Sequence, residues 1–159
     1  MIIMKNKKLT IGISLRVVGN TDYNEKRDAL SQDWSKFFEK LEINPLLIPN
    51  TIKNVSEFLE DMQVQGLFLS GGDNVGDNQD RDITEQKIID YCLEKKIPLI
   101  GICRGMQVIN TFFGGKIETL ENSKHVGDPH LVSLNKSIAE LLHTNELQVN
   151  SFHNNIIKQ

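Results

Sequence analysis

Two runs in this chain, Gly66-Leu67-Phe68-Leu69-Ser70 and Ile97-Pro98-Leu99-Ile100-Gly101-Ile102, are apolar with no alternation. A strand with one wet face alternates apolar and polar residues, so short unbroken runs like these predict strands covered on both faces. Such strands need helices on either side of the sheet, and the chain supplies them. Residues 28–41 set Leu30, Trp34, Phe37, Phe38 and Leu41 at helical spacing, and residues 54–62 read as a second helix with Asn54 or Ser56 as its cap. Residues 83–94 carry Ile83, Ile88, Tyr91 and Cys92 on one prospective core face, and a helix over 106–113 is stopped by Gly114-Gly115. Strands are also predicted at 9–15 and 45–49. The repeated β-α-β units predict an α/β fold, an open and mainly parallel sheet with helices on both faces. Beyond Gly115 the pattern loosens to strands at 116–120, 131–134 and 147–150 around a short helix at 137–142.

Composition narrows the function. A chain of 159 residues, 39% apolar, is expected to be a single soluble domain over 1–159. Its 18 Lys and Arg against 21 Asp and Glu leave a net charge of −3, which argues against nucleic acid as the partner. No apolar run approaches the ~20 residues of a membrane-spanning helix. The opening Met1-Ile2-Ile3-Met4-Lys5-Asn6-Lys7-Lys8 lacks the apolar stretch and cleavage site of a secretory leader. Two cysteines, Cys92 and Cys103, are too few for a disulfide framework, so a cytoplasmic protein with no membrane partner is expected. No His/Cys pair has zinc spacing, and neither a metal nor a cofactor is expected. Gly114-Gly115-Lys116 is followed by Ile117 rather than Ser or Thr, unlike a phosphate-binding loop.

The chemistry points to Gly101-Ile102-Cys103-Arg104-Gly105-Met106-Gln107, after a predicted buried strand and before a predicted helix. This is a G-x-C-x-G form of the nucleophile elbow, a sharp strand-to-helix turn that lifts its central side chain to the top of the sheet. Gly101 and Gly105 remove the side chains that would collide in so tight a turn. A helix starting behind Cys103 brings partial positive charge to the sulfur and favours the thiolate. A free cysteine standing alone reads as a small buried hydrophobe, and that is the reading for Cys92. Ser70-Gly71-Gly72-Asp73 ends the other buried strand, and the N–H groups of Gly72 and Arg104 could together form an oxyanion hole. Of the histidines, His153 follows a predicted strand and His130 begins one. His143 reads as a helix C-terminal cap, and His125 as a solvent-exposed loop residue.

In chain order, Leu69-Ser70-Gly71-Gly72-Asp73, Gly101 through Gly115, His130-Leu131-Val132-Ser133-Leu134 and Val149-Asn150-Ser151-Phe152-His153 resemble the class I glutamine amidotransferase-like superfamily, in its γ-glutamyl hydrolase branch. The resemblance runs from Leu67 onward, and Thr10 to Ser14 is similar to the family's first strand. It implies a flavodoxin-like sheet and Cys103 as the nucleophile that attacks a γ-glutamyl amide carbonyl. It further implies oxyanion donors at Gly72 and Arg104, and substrate contacts from Gln107, Ser151 and Phe152 to the glutamyl amino and carboxylate groups. The partner implied is a small-molecule γ-glutamyl substrate. Arg104 leans toward the stand-alone hydrolases, because the ammonia-channelling members usually carry an aliphatic residue after the cysteine.

The resemblance also implies a catalytic His and Glu in a His-Pro-Glu segment after a further strand. No such segment precedes Gln159, and His153 does not match that histidine. The expectation is therefore a domain truncated at its C-terminus, whose turnover is slower by ~10²–10⁴ for want of a positioned acid–base group. Two rival readings stand beside the hydrolase. A glutaminase subunit delivering ammonia to a synthetase would depend on that partner for activity. A non-catalytic flavodoxin-like binding module would carry a Cys103 no more reactive than a free cysteine.

Overall fold

The unbroken apolar runs lie in one parallel sheet. In the computed structural model, which describes residues 8–20, 22–119 and 127–158, strands β1 (Thr10–Ser14), β4 (Asn44–Ile48), β5 (Gly66–Leu69) and β6 (Leu99–Gly101) pair in the order β4-β1-β5-β6. Ile13 stands opposite Leu47 on one side and Phe68 on the other, and Leu69 stands opposite Gly101. Period-two alternation then sorts the side chains to two cores. Ile11 and Ile13, with Phe68, meet Phe38, Trp34 and Leu30 on the side of helix α1 (Gln32–Lys40). Leu67 and Leu69 meet the opposite layer, helices α2 (Val55–Asp61), α3 (Gln79–Lys95) and α4 (Arg104–Phe112), through Leu59, Ile88, Ile89, Cys92 and Val108. This is the doubly wound α/β arrangement that the sequence predicts.

Helix starts follow local capping. The Ser31 hydroxyl accepts from the Asp33 N–H, Asn54 Oδ1 from the Glu57 N–H at 3.2 Å, and Asn78 Oδ1 from the Arg81 N–H at 3.1 Å. Asn54, not Ser56, is the cap of α2.

The structure departs from the sequence-based expectation at 16–31. The helix predicted from Asp28 starts at Gln32, and residues before it form a two-stranded antiparallel ribbon, β2 (Arg16–Asn20) with β3 (Glu25–Ala29). Glu25-Lys26-Arg27-Asp28 carries no period-two apolar signal, because this ribbon is largely exposed. Asp28 is held elsewhere: its carboxylate accepts from the Asn50 N–H at 2.9 Å and from Asn50 Nδ2 at 2.6 Å. In α3 the predicted core residue Ile83 is 43% exposed, whereas Ile89, absent from the predicted face, is buried.

The chain divides into two units, Met1–Gly114 and Gly115–Gln159. In the second, β7 (Lys116–Thr119) pairs antiparallel with β10 (Asn155–Lys158), a strand that the sequence pattern does not announce. Strands β8 (His130–Ser133) and β9 (Glu146–Val149) form another antiparallel pair around helix α5 (Lys136–Leu142). Leu120 and His125 lie outside the described residues. Among the described residues no helix is long and apolar enough to cross a membrane.

Candidate active site

Strand β6 ends at Gly101 and helix α4 begins at Arg104, so the chain reverses direction through Ile102 and Cys103 alone. Cys103 absorbs the turn at φ 54° and ψ −110°, a conformation that L residues avoid and that active sites tend to hold. The Ile102 N–H donates to the Leu69 carbonyl at 3.0 Å, which ties the turn to the end of β5. Gly101 and Gly105 permit the fit. A Cβ on Gly101 would sit 2.5 Å from the Gly105 carbonyl carbon and oxygen. The Cys103 side chain makes no capping bond to its own helix and is exposed.

The glycine loop after β5 faces the same turn. A Cβ on Gly71 would lie 3.3 Å from Cys103 Cβ and 3.9 Å from its Sγ, so the two loops touch at the thiol. Gly72 follows at φ 133°, a backbone region that favours glycine. Among the described residues, neither the Gly72 nor the Arg104 N–H has a hydrogen-bond acceptor. The Arg104 N–H opens α4 directly after the exposed Cys103, and the Gly72 N–H lies in the loop whose Gly71 meets that side chain. Gln107 is buried one turn into α4, and its N–H donates to the Cys103 carbonyl at 3.3 Å.

A buried ionic network, which the sequence motifs do not announce, holds the two loops. Arg81, fully buried, donates from Nη2 to the Ser70 and Gly71 carbonyls at 2.9 and 3.0 Å, from Nε to Glu85 at 3.0 Å, and from Nη1 to Asp73 at 3.1 Å. The Arg104 guanidinium pairs with the other oxygen of Glu85 and with Asp82. Ser14 completes the ring: its hydroxyl donates to Glu85 at 2.7 Å and accepts from the Ser70 N–H at 3.0 Å. A signal existed in the sequence, because positions 81, 85, 88 and 92 share one helical face, so the core stripe of α3 continues into a charged pair.

The remaining predicted residues belong to the second unit. Ser151 is buried, with its hydroxyl 3.4 Å from His130 Nε2, while Phe152 is 75% exposed. His153 Nδ1 lies 2.8 Å from the Asn155 carbonyl, and His143 is the left-handed C-cap of α5. The predicted site residues thus divide between the units, with Cys103, Gly72, Arg104 and Gln107 in the first.

The two thiols differ in exposure. Cys92 is 4% exposed in the α3 core, and burial pushes its thiol up to about 12, so at pH 8 only about one molecule in 10⁴ carries the thiolate. Limited iodoacetamide followed by peptide mapping is expected to label Cys103 at least about tenfold ahead of Cys92. Equal labelling would contradict the assignment of Cys103 as the exposed thiol of an elbow.

The family model for peptidase C26 matches residues 10–159. The chain is 35% identical over 156 residues to a γ-glutamyl-CDP-amidate hydrolase of Campylobacter jejuni, covering 94% of this chain and 72% of the relative. A candidate GMP synthase component from Thermoplasma acidophilum has a TM-score of 0.68 at 25% identity, over 96% of this chain and 68% of that one. A glutamine amidotransferase of Thermotoga maritima shares the fold, with a TM-score of 0.66 at 14% identity over 96% of this chain and 63% of its own.

Proposed function

We propose that this chain, which belongs to the peptidase C26 family, hydrolyses a γ-glutamyl amide through a thioester on Cys103. The observation that carries this reading is the elbow: an exposed sulfur at φ 54° where α4 begins, beside the unengaged N–H groups of Gly72 and Arg104. In the first step the thiolate sulfur bonds to the γ-carbonyl carbon and the carbonyl π electrons move to oxygen. The oxyanion so formed is received by the two N–H donors. Its collapse re-forms the carbonyl, breaks the C–N bond and leaves the γ-glutamyl group on sulfur, while the departing amine takes up from solvent the equivalent of the proton that the Cys103 thiol gave up on ionising. Water then attacks the thioester, releasing glutamate and restoring the thiol. On this reading Gln107, buried one turn behind Cys103, contributes to holding the glutamyl amino and carboxylate groups. Similarity to the Campylobacter enzyme supports a γ-glutamyl-CDP-amidate as substrate, which would give the step a place in capsule biosynthesis.

Acylation is separable from turnover, and it provides the test. An activated γ-glutamyl anilide, whose leaving group needs less protonation, is the suitable probe. Intact mass spectrometry after mixing should show one γ-glutamyl group added, mapped to Cys103 and absent from Cys103→Ala. An adduct elsewhere, or none with a folded chain, would overturn the proposal. A second reading, as the glutaminase half of an amidotransferase, draws on the likeness to the Thermoplasma protein. Glutamine hydrolysis that depends on an added synthetase would favour it.

A further inference from the structure

In open α/β sheets the ligand crevice opens at the carboxyl ends of the strands where the winding direction reverses, here between β1 and β5. The chain leaves β1 through Leu15 into Arg16 and leaves β5 through Ser70 into Gly71. A recess of about 180 Å³ lies there, lined by Arg16, Leu30, Ser31, Trp34, Ser70 and Gly71. It adjoins a second recess of about 250 Å³, lined by Ser31, Asp33, Trp34, Phe37 and Ile102, the last being the neighbour of Cys103. Ser31 and Trp34 belong to both.

The charges in this crevice are unequal. Arg81 is saturated by Ser70, Gly71, Asp73 and Glu85. Arg16 is exposed, and among the described residues its guanidinium has no hydrogen bond or ion pair. Its stem crosses Gly72, since a Cβ there would lie 3.0 Å from Arg16 Cβ and 3.4 Å from its Cδ. The neighbouring carboxylates are engaged, Asp28 by Asn50 and Asp33 by Lys36 at 2.9 Å. The Trp34 ring is fixed by Phe38 at 5.5 Å, Phe68 at 5.5 Å and Phe37 at 5.9 Å, which makes it a rigid wall. Arg16 lines only the first recess and Phe37 only the second, with Trp34 shared, so a ligand spanning both would set its anion toward Arg16 and its ring toward Trp34 and Phe37.

We infer that this double recess is the subsite for the amine half of the substrate, with Arg16 receiving a phosphate-class anion and Trp34 a planar ring, as in a nucleoside diphosphate. Assigning the ligand as the amine half rests on the γ-glutamyl hydrolase reading. The test reads binding alone, so each can fail without the other. Trp34 is the only tryptophan of the chain, and its emission reports on this crevice directly. Titrating the chain with cytidine 5′-diphosphate should change that emission saturably. Arg16→Gln should weaken binding by about tenfold to a hundredfold, the usual worth of a hydrogen bond to a charged group. Arg16→Lys should retain most of the affinity as a point charge, and far-ultraviolet circular dichroism should show both variants folded. Cytidine and inorganic pyrophosphate should each bind more weakly than the diphosphate, with cytidine indifferent to Arg16→Gln. No change in emission with millimolar cytidine 5′-diphosphate, equal affinity in wild type and Arg16→Gln, or pyrophosphate as tight as the nucleotide would each overturn the inference.

Discussion

Gly105→Val is expected to abolish the folded state. A Cβ at this position would lie 2.6 Å from both the carbonyl carbon and the Cβ of Leu69, and closer still to the Leu69 oxygen. These atoms belong to the end of β5, in the middle of the sheet, so no flexible side chain can yield. Relief requires α4 to move off the strand. That movement would break the bond from the Ile102 N–H to the Leu69 carbonyl and separate Val108 from the core around Leu69. Overpacking against side chains costs ~1–3 kcal/mol, and a collision with strand backbone exceeds that range. Set against a total stability of ~5–15 kcal/mol, the expected outcome is loss of soluble, cooperatively folding protein. Gly19→Ala is the control, because nothing lies within 4 Å of its Cβ position, and its unfolding free energy from urea titration should stay within ~0.5 kcal/mol of the parent. A soluble Gly105→Val chain with a native urea midpoint would mean that α4 does not pack against β5 in this way.

The sheet was legible because its physics is local. Covered strands need continuous apolar residues, and the run at 66–70 contains the covered strand Gly66–Leu69, whereas the run at 97–102 contains Leu99–Gly101, last in the sheet order, where Ile100 is 51% exposed. The elbow was legible for a related reason, since only glycine fits at 101 and 105 and that demand is written in residue type. The β2–β3 ribbon was not. Its exposed, charged strands carry no burial pattern, and the pairing of Arg16 with Ala29 is a contact between residues that local sequence does not connect. Nor was the charged core. Arg81 and Glu85 continue the face of Ile88 and Cys92, but an i, i+4 ion pair is ordinarily solvated, and only the tertiary approach of Arg104 and Ser14 turns this one into a buried junction. The motif draws attention to the backbone N–H of Arg104, whereas its side chain, 1% exposed, braces the elbow against α3.

That junction supports the last and most quantitative expectation. Glu85 is fully buried and stands between two buried guanidiniums, Arg81 on one oxygen and Arg104 on the other. Asp73 and Asp82 join the network from the rim, at 20% and 27% side-chain exposure, so three carboxylates face two guanidiniums. Removing one partner of a buried ion pair leaves an uncompensated charge, typically a loss of ~3–5 kcal/mol, much more than the ~0–1 kcal/mol of a surface pair. Glu85→Ala leaves each guanidinium with only its rim carboxylate, Asp73 for Arg81 and Asp82 for Arg104, and removes the acceptor of the Ser14 hydroxyl, so it should fall within that range. Glu85→Gln keeps the shape and one carbonyl acceptor while losing the charge, so it should fall between Ala and the parent. Because Arg81 also grips the Ser70 and Gly71 carbonyls, the Gln variant should react differently with iodoacetamide at Cys103 while remaining folded. Lys36→Ala is the counterexample, since it breaks an exposed pair with Asp33 and should leave the urea midpoint unmoved. If Glu85→Ala unfolded at the parent midpoint, water would have to reach both guanidiniums, and the glycine loop and the elbow would be held by backbone packing alone.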